Sequence, residues 1–340
     1  MSHVAVVILN WNGISFLKRF LPSVVEHTSP ELADIYVADN GSTDNSLAWL
    51  GQHYPQVKII RLDRNWGFAE GYNRSLKEIS CRYFLLLNSD VEVPPHWLEP
   101  LVELMESEPA VAACMPKIRS ASEPSLFEYA GAAGGYIDKW GYPFCRGRIF
   151  HHIEPDNGQY DSTVDVFWAS GACLLIRSEL YFAAGGLDSF FFAHMEEIDL
   201  CWRLKNLGHR IMVVHKSRVF HLGGGTLPKK NHRKTYLNFR NNIILLVKNL
   251  PPGKVLKVLF VRIILDFMAA VYFLAKFDPG ESFAVMKAYV SVLLHCRRII
   301  RLRKDIRTER RLLHHNEVFS GSIVWKFYIR RKRIFSQLGF

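Results

Sequence analysis

The chain predicts an α/β fold, a central sheet with helices on both faces, continued by a basic helical extension. Strand-type and helix-type segments alternate over the first hundred residues, the pattern of strands joined by crossover helices. Of the 340 residues 49% are hydrophobic, enough for one large core. The charge is lopsided: residues 297–340 carry 13 Lys and Arg against 3 Asp and Glu, whereas the preceding 296 carry 30 against 29. These observations divide the chain into residues 1–250, the α/β domain, and 251–340, an amphipathic basic extension.

In chain order, "HVAVVILN" reads as a buried strand, "ISFLKRFLPSVVEH" as an amphipathic helix, and "ADIYVADN" and "VKIIRL" as strands. "AEGYNRSLKEIS" follows as a helix and "RYFLLLNSD" as a fourth strand. Parallel sheets of this kind bind ligands beyond the carboxyl ends of their strands. Polar clusters fall at those ends: Asn10 to Gly13, Asp39 to Asp44, Asn65 to Gly67 and Asn88 to Asp90. Amides and carboxylates there suit a nucleobase or ribose, and Asp39 suits a base N–H or sugar hydroxyls. Turn chemistry alone explains any one of these loops, though not four converging on one crevice. Neither a GxGxxG nor a GxxxxGK[ST] loop is present, so phosphates would be met by a divalent metal on a carboxylate.

Asp90 is placed for that metal, because the apolar run Phe84 to Leu87 would carry it to the end of a central strand; capping the next helix is its alternative. Further on, in "GGLDSFFFAHMEEIDLCWR", a helix from Met195 puts Glu196, Asp199 and Arg203 on one face, with Asp199 and Arg203 as an ion pair. Glu197 points about 100° away from that face. An acid near a helix start, free of a salt bridge and approached through "FFFAHM", is a candidate general base; a solvated surface glutamate is the alternative. His221 stands at the mouth of a glycine-rich loop, as a metal ligand or a core histidine. The run Gly223 to Gly225 with Lys229, Lys230, Arg233 and Lys234 reads as a lid over phosphates or as a linker.

The six cysteines are scattered without a CxxC pair, which argues against a zinc cluster or disulfide framework and for a cytoplasmic setting. The N-terminal apolar run is too short for a signal-peptide core. In "VLKVLFVRIILDFMAAVYFLAKF" the longest uncharged run, Phe267 to Ala275, has nine residues, so a bilayer span is not expected. Together with "FAVMKAYVSVLLHCRRIIRLRK" it reads as interfacial helices on an anionic membrane surface, or as a homodimerisation module. A nucleic-acid-binding tail is disfavoured, because the front domain is near neutral and its polar loops are acidic.

The motifs "VVILNWNG", "VADNGSTDNS", "NWGFAEGYN", "LLLNSD", "ASGACLLIR", "GGLDSFFFAHMEEIDLCWR" and "HLGGGT" resemble, in order and spacing, the inverting glycosyltransferases of family 2, in particular their rhamnosyltransferase-like branch. The resemblance covers about residues 3 to 245. It implies a GT-A fold with a Rossmann-like sheet, a nucleotide-diphosphate sugar donor and a divalent cofactor, Mg or Mn. Asn10, Asn12, Asp39 and Ser42 would hold the nucleoside, and Asn65, Gly67, Phe68, Gly71, Asn73, Asn88 and Ser89 would line the donor pocket. Asp90 would be the last residue of the metal motif, which here reads Asn88-Ser89-Asp90, with His221 as the later metal ligand. Glu197 matches the base, supported by Glu196, Asp199 and Arg203; the branch commonly has Glu-Asp where this chain has Glu196-Glu197, and the longer Glu197 side chain shifts the proton acceptor by about a methylene. The implied function is inverting sugar transfer to a saccharide or polyprenyl-linked acceptor in cell-surface polysaccharide synthesis. The implied setting is the inner face of the cytoplasmic membrane. A catalytically inactive nucleotide-sugar-binding protein is the alternative.

Overall fold

Apolar runs without polar alternation form strands covered on both faces. The computed structural model, which describes residues 3–223, 232–307 and 314–340, has two such runs, Val4–Asn10 and Tyr83–Leu87, side by side within its main sheet, and two less buried strands continue the sheet to one edge. Strands β1 (Val4–Asn10), β2 (Ala33–Asp39), β3 (Lys58–Arg61) and β4 (Tyr83–Leu87) are parallel, in the order β3-β2-β1-β4. Every residue of β4 is buried. Helices α1 (Ile14–Glu26), α2 (Ser46–His53) and α3 (Gly67–Leu76) carry the chain between them.

Beyond β4 come β5 (Val91–Glu92), α4 (Glu99–Ser107) and β6 (Val111–Ser120). A small region follows with β7 (Gly135–Asp138), β8 (Pro143–Cys145), β9 (Arg148–Ile149) and β10 (His152–Ile153). The chain then returns through β11 (Val164–Asp165), β12 (Cys173–Arg177), α5 (Ser178–Ala183), α6 (Glu196–Asn206) and β13 (Arg210–His221). The central sheet is mixed from here on: β12 runs antiparallel between β4 and β6, β13 is parallel to β6, and β11 is antiparallel at the edge. The end of β13 pairs with β5, Val91 opposite His221, and Leu222 N–H donates to the Asp90 carbonyl at 3.0 Å. That short antiparallel pairing brings together Asp90 and His221, 131 positions apart in the chain.

The extension consists of α7 (His232–Asn249), α8 (Pro252–Ala275), α9 (Pro279–Leu294), α10 (Cys296–Arg307) and a last strand, β14 (Val318–Phe319). β14 pairs with β7, completing a second sheet in the order β10-β9-β8-β7-β14, and Phe335 and Phe340 lie within 5.1 and 4.8 Å of the Tyr136 ring. One sequence expectation is corrected here. Helix α8 has 24 residues and is long and apolar enough to cross a membrane by length and composition. Two of the four charges that interrupt the apolar stretch turn inward, where Arg262 and Asp266 pair at 3.1 Å and are fully buried, with Tyr142 and Tyr289 each donating to Asp266 at 2.7 Å, while Lys257 and Lys276 are exposed near its ends. The outward side of α8 is left to residues such as Leu256, Phe260, Phe267 and Met268.

Candidate active site

The loops at the strand ends are built from their own polar side chains. Asn10 Nδ2 donates to Asp39 Oδ1 (3.1 Å) and Ser42 Oγ (3.2 Å), and Asp39 Oδ2 accepts from Ser42 N–H (3.0 Å). Asn12, at a left-handed φ of 50°, accepts from Thr43 N–H at 2.7 Å, while its own N–H reaches Ser42 Oγ at 2.9 Å. A Cβ on Gly13 would stand 2.5 Å from Asn10 Oδ1, which accounts for the glycine behind "NWN". The first two loops therefore form one polar rim.

The third loop is equally self-contained. Asn40 Nδ2 donates to Asn65 Oδ1 (3.1 Å) and to the Gly67 carbonyl (3.0 Å), and Asn65 Oδ1 also accepts from Gly67 N–H (2.8 Å). Gly71 allows α3 to approach β1, because a Cβ there would meet Leu9 at 3.0 Å and Asn40 Nδ2 at 3.1 Å. Asn73 faces elsewhere: its amide holds Leu187 through the carbonyl (2.7 Å) and the N–H (3.0 Å), and it accepts from the Tyr181 hydroxyl at 2.6 Å. Its hydrogen bonds anchor the loop leading to α6. Phe68 lies toward Glu197, with Gly171 of "ASGA" beside both: a Cβ on that glycine would be 3.6 Å from Phe68 and 3.7 Å from Glu197.

At the fourth loop Asp90 and His221 are both buried. His221 Nε2 lies 3.1 Å from Asp90 Oδ1 and 3.4 Å from Asn88 Nδ2, and His221 Nδ1 lies 3.2 Å from Glu128 Oε2. Burial works against the imidazolium, but the two flanking carboxylates outweigh it and push His221 up to about 10. Burial also works against the Asp90 charge, and the His221 contact overcomes it, holding this carboxyl below its usual range. Asp90 and His221 offer a carboxylate oxygen and an imidazole nitrogen on one spot, donor types that a divalent cation takes, and the cation would have to displace the proton that the two carboxylates hold on His221. Ser89 lies beside them in the loop, half-buried. Sequence reasoning missed Glu128, which belongs to "FEYAGAAGG", a stretch with no periodic or spacing signal.

On α6 the expected ion pair is present, with Arg203 Nε 2.9 Å from Asp199 Oδ2. Asp199 also takes Lys248 Nζ (3.0 Å) and Asn249 Nδ2 (2.8 Å), so its role is to fasten α6 to α7. Glu196 is buried, and burial together with Glu197 raises its carboxyl well above the usual range. Glu197 Oε2 has no hydrogen-bond partner among the described residues. Burial pushes Glu197 up to about 7 against the pull of backbone N–H groups at the helix start. Immediately before it Phe192, His194 and Met195 hold left-handed φ values of 66°, 69° and 76°, a strained path of the kind that collects at functional sites. Asn241 Nδ2 holds this path by donating to the carbonyls of Phe191, Ala193 and His194 at 2.8–2.9 Å.

Glu197 opens into a cavity of about 420 Å³, lined also by Tyr129, Arg148, Trp168, Lys234 and Phe273. The rest of the anticipated lid, Gly224 to Lys230, lies outside the described residues. Arg233 stands over the Phe192 ring at 4.8 Å and Lys234 over the Tyr129 ring at 5.4 Å.

A family model described as glycosyl transferase family 2 matches residues 5–171, which hold the first three polar loops, the Asp90 loop and Gly171. The chain belongs to glycosyltransferase family 2. This glycosyltransferase is similar to the N-acetylglucosaminyl-diphospho-decaprenol L-rhamnosyltransferase of Mycobacterium tuberculosis, 26% identical over 230 residues, covering 64% of this chain and 75% of that protein. It is also similar to the rhamnosyltransferase WbbL of Escherichia coli K12, 24% identical over 225 residues, with 64% and 83% covered. Among solved structures, GalNAc-T7 with UDP, GalNAc and Mn2+ aligns with a TM-score of 0.60 at 17% identity, over 97% of this chain and 57% of that one. The Pyrobaculum calidifontis mannosyltransferase in complex with GDP-Man and Mn2+ aligns at 0.52 and 15% identity, over 90% and 82%. At those identities the likeness establishes the fold, GT-A.

Proposed function

We propose that this glycosyltransferase moves a sugar, rhamnose by analogy with its relatives, from a nucleoside-diphosphate donor to a saccharide hydroxyl on a polyprenyl diphosphate, with inversion. The observation that supports the reading is Glu197, whose Oε2 has no partner among the described residues and whose carboxyl burial pushes up to about 7, standing between Phe68 and a cavity of about 420 Å³. Glu197 takes the proton of the acceptor hydroxyl as its oxygen bonds to the anomeric carbon. The bond from that carbon to the diphosphate oxygen breaks on the opposite side, and the nucleoside diphosphate leaves with the electron pair. Asp90 and His221 would hold a divalent cation, Mg or Mn, which when bound neutralises charge on the diphosphate. The Asn10–Asp39–Ser42 rim would orient the nucleoside.

Residues 1–250 carry this chemistry in the proposal, and 251–340 seat it at the inner face of the cytoplasmic membrane. Support comes from the exposed apolar residues of α8, continued by Phe283, Leu293 and Leu294 on α9, next to the Arg-rich α10. A homodimer through the same face is the competing arrangement, and its mark would be a concentration-dependent mass in detergent-free solution.

The test is nucleoside diphosphate release from dTDP-rhamnose and a panel of UDP- and GDP-sugars, with a GlcNAc-diphosphoryl-lipid acceptor, Mn2+, and Glu197→Gln alongside. Release from one donor, absent in the variant, is expected. Tight donor binding without turnover in the wild type would overturn the assignment and leave a nucleotide-sugar-binding protein.

A further inference from the structure

Buried cations in this molecule are normally answered by an oxygen. Arg262 has Asp266, Arg203 has Asp199, Arg177 donates to the carbonyls of Val111, Met105 and Glu108, and Arg146 donates to those of Tyr160 and Ser162. Arg148, at the start of β9, departs from this pattern. It is 7% exposed, its one hydrogen bond among the described residues goes to the Cys145 sulfur at 3.2 Å, and its Nε has no partner. A guanidinium held out of water with no direct ion pair, and with Glu128 acting on it only at longer range, is a group that a ligand anion would stabilise.

A second cation stands close by. The Arg148 guanidinium lies 4.4 Å from the Tyr129 ring centroid and Lys234 Nζ lies 5.4 Å from the same centroid. Both line the cavity into which Glu197 opens, and neither forms an ion pair among the described residues. The nearest acid, Glu128, is already engaged by His221 and by the Ala130 N–H. The cavity's far wall is α8, which contributes Phe273 on this side and presents Phe260, Phe267 and Met268 to the outside.

We infer that Arg148 and Lys234 form an acceptor-side anion subsite that grips a phosphate joining the acceptor sugar to its carrier, separate from the Asp90–His221 site for the donor diphosphate. The proposal rests on the transfer reading above for the word acceptor, but its test does not need turnover. Two cations on one aromatic ring suit a group with more than one negative charge, and the cavity continues toward an apolar helix. A phosphate-linked lipid and a soluble sugar phosphate share this chemistry.

The experiment is calorimetric titration of the full chain with inorganic pyrophosphate in EDTA, so that no cation occupies Asp90 and His221. Wild type is expected to bind, Arg148→Gln to bind about tenfold or more weakly, the scale of one charge-assisted contact, and Lys234→Gln by less. Arg148→Lys should recover part of the loss, and Asp90→Ala should bind as wild type does. No binding by the wild type, or a loss that follows Asp90→Ala rather than Arg148→Gln, overturns the subsite. If Arg148→Gln does not fold, Lys234→Gln on the cavity rim carries the test, and unchanged binding there overturns it. Farnesyl diphosphate binding more tightly than pyrophosphate identifies a lipid-linked source, and equal binding a soluble one; the subsite stands in both. In transfer assays Arg148→Gln should raise KM for a diphosphate-linked acceptor while leaving the donor KM unchanged. Pyrophosphate binding that depends on Arg148 in a protein that transfers nothing would sink the transfer reading alone.

Discussion

The two sides of the crevice are finished to different degrees. On the side of the first three polar loops, Asn12, Asp39, Asn40 and Asn65 spend their polar atoms on neighbouring side chains and backbone groups, and Asn10 Oδ1 is the one buried oxygen of that rim without a partner among the described residues. On the acceptor side Glu197 Oε2, His194 Nε2 and Arg148 Nε lack partners among the described residues, and the chain before Glu197 is strained. Hydrogen-bonded loops are rigid before the ligand arrives, whereas unanswered groups are held ready for something that changes charge or position. In the proposed reaction the first side would serve as scaffold and the second would carry the chemistry.

The largest test of that contrast is Glu197→Gln. Transfer should fall about 10³-fold, the middle of the range for a lost general base, while the melting temperature rises because a carboxylate that burial disfavours has gone. A fall in stability together with activity would show that Glu197 is structural. Next, Asp90→Ala should weaken Mn2+-dependent nucleoside diphosphate binding about 10- to 100-fold, read by titration with and without the metal; equal binding in both would remove Asp90 from the metal site. A pH profile is the third test. A base works in its deprotonated form, so with Glu197 at about 7 kcat/KM should climb as pH rises through that value and level off above it. A rate already level from pH 5 upward would contradict an uplifted base. The smallest effect is expected at Asn73→Ala, which should cost about 1–3 kcal/mol in urea unfolding and leave nucleotide affinity unchanged. Weakened affinity would return Asn73 to the donor pocket, where the family resemblance had put it.

How much of this was legible in the sequence depends on how local the signal is. The end of an apolar run marks the end of a strand, so Asn10, Asp39 and Asp90 could be placed at one edge of the sheet from the chain alone. The Asp199–Arg203 pair was legible because helical spacing is also local. The mixed sheet was not, since nothing in "CLLIR" tells which neighbours it pairs with or in which direction. Glu128 and Arg148 were invisible for the same reason: each acquires meaning from a residue dozens of positions away, His221 in one case and Lys234 in the other. Arg262 and Asp266 misled, because charge within an apolar run looks like an interruption until the two neutralise each other on the inner side of the helix.

The return of the chain to its second sheet has a practical side. Removing the apolar helices to improve handling would ordinarily mean a stop codon near residue 250, but that also deletes β14, which hydrogen-bonds along β7, and the Phe335 and Phe340 rings that cover Tyr136. The shortened chain would expose a raw strand edge and an uncovered aromatic cluster, both prone to self-association. Surface redesign of α8 and α9, with polar residues replacing Leu256, Phe260 and Leu294, keeps that closure intact and is the better route to a tractable protein.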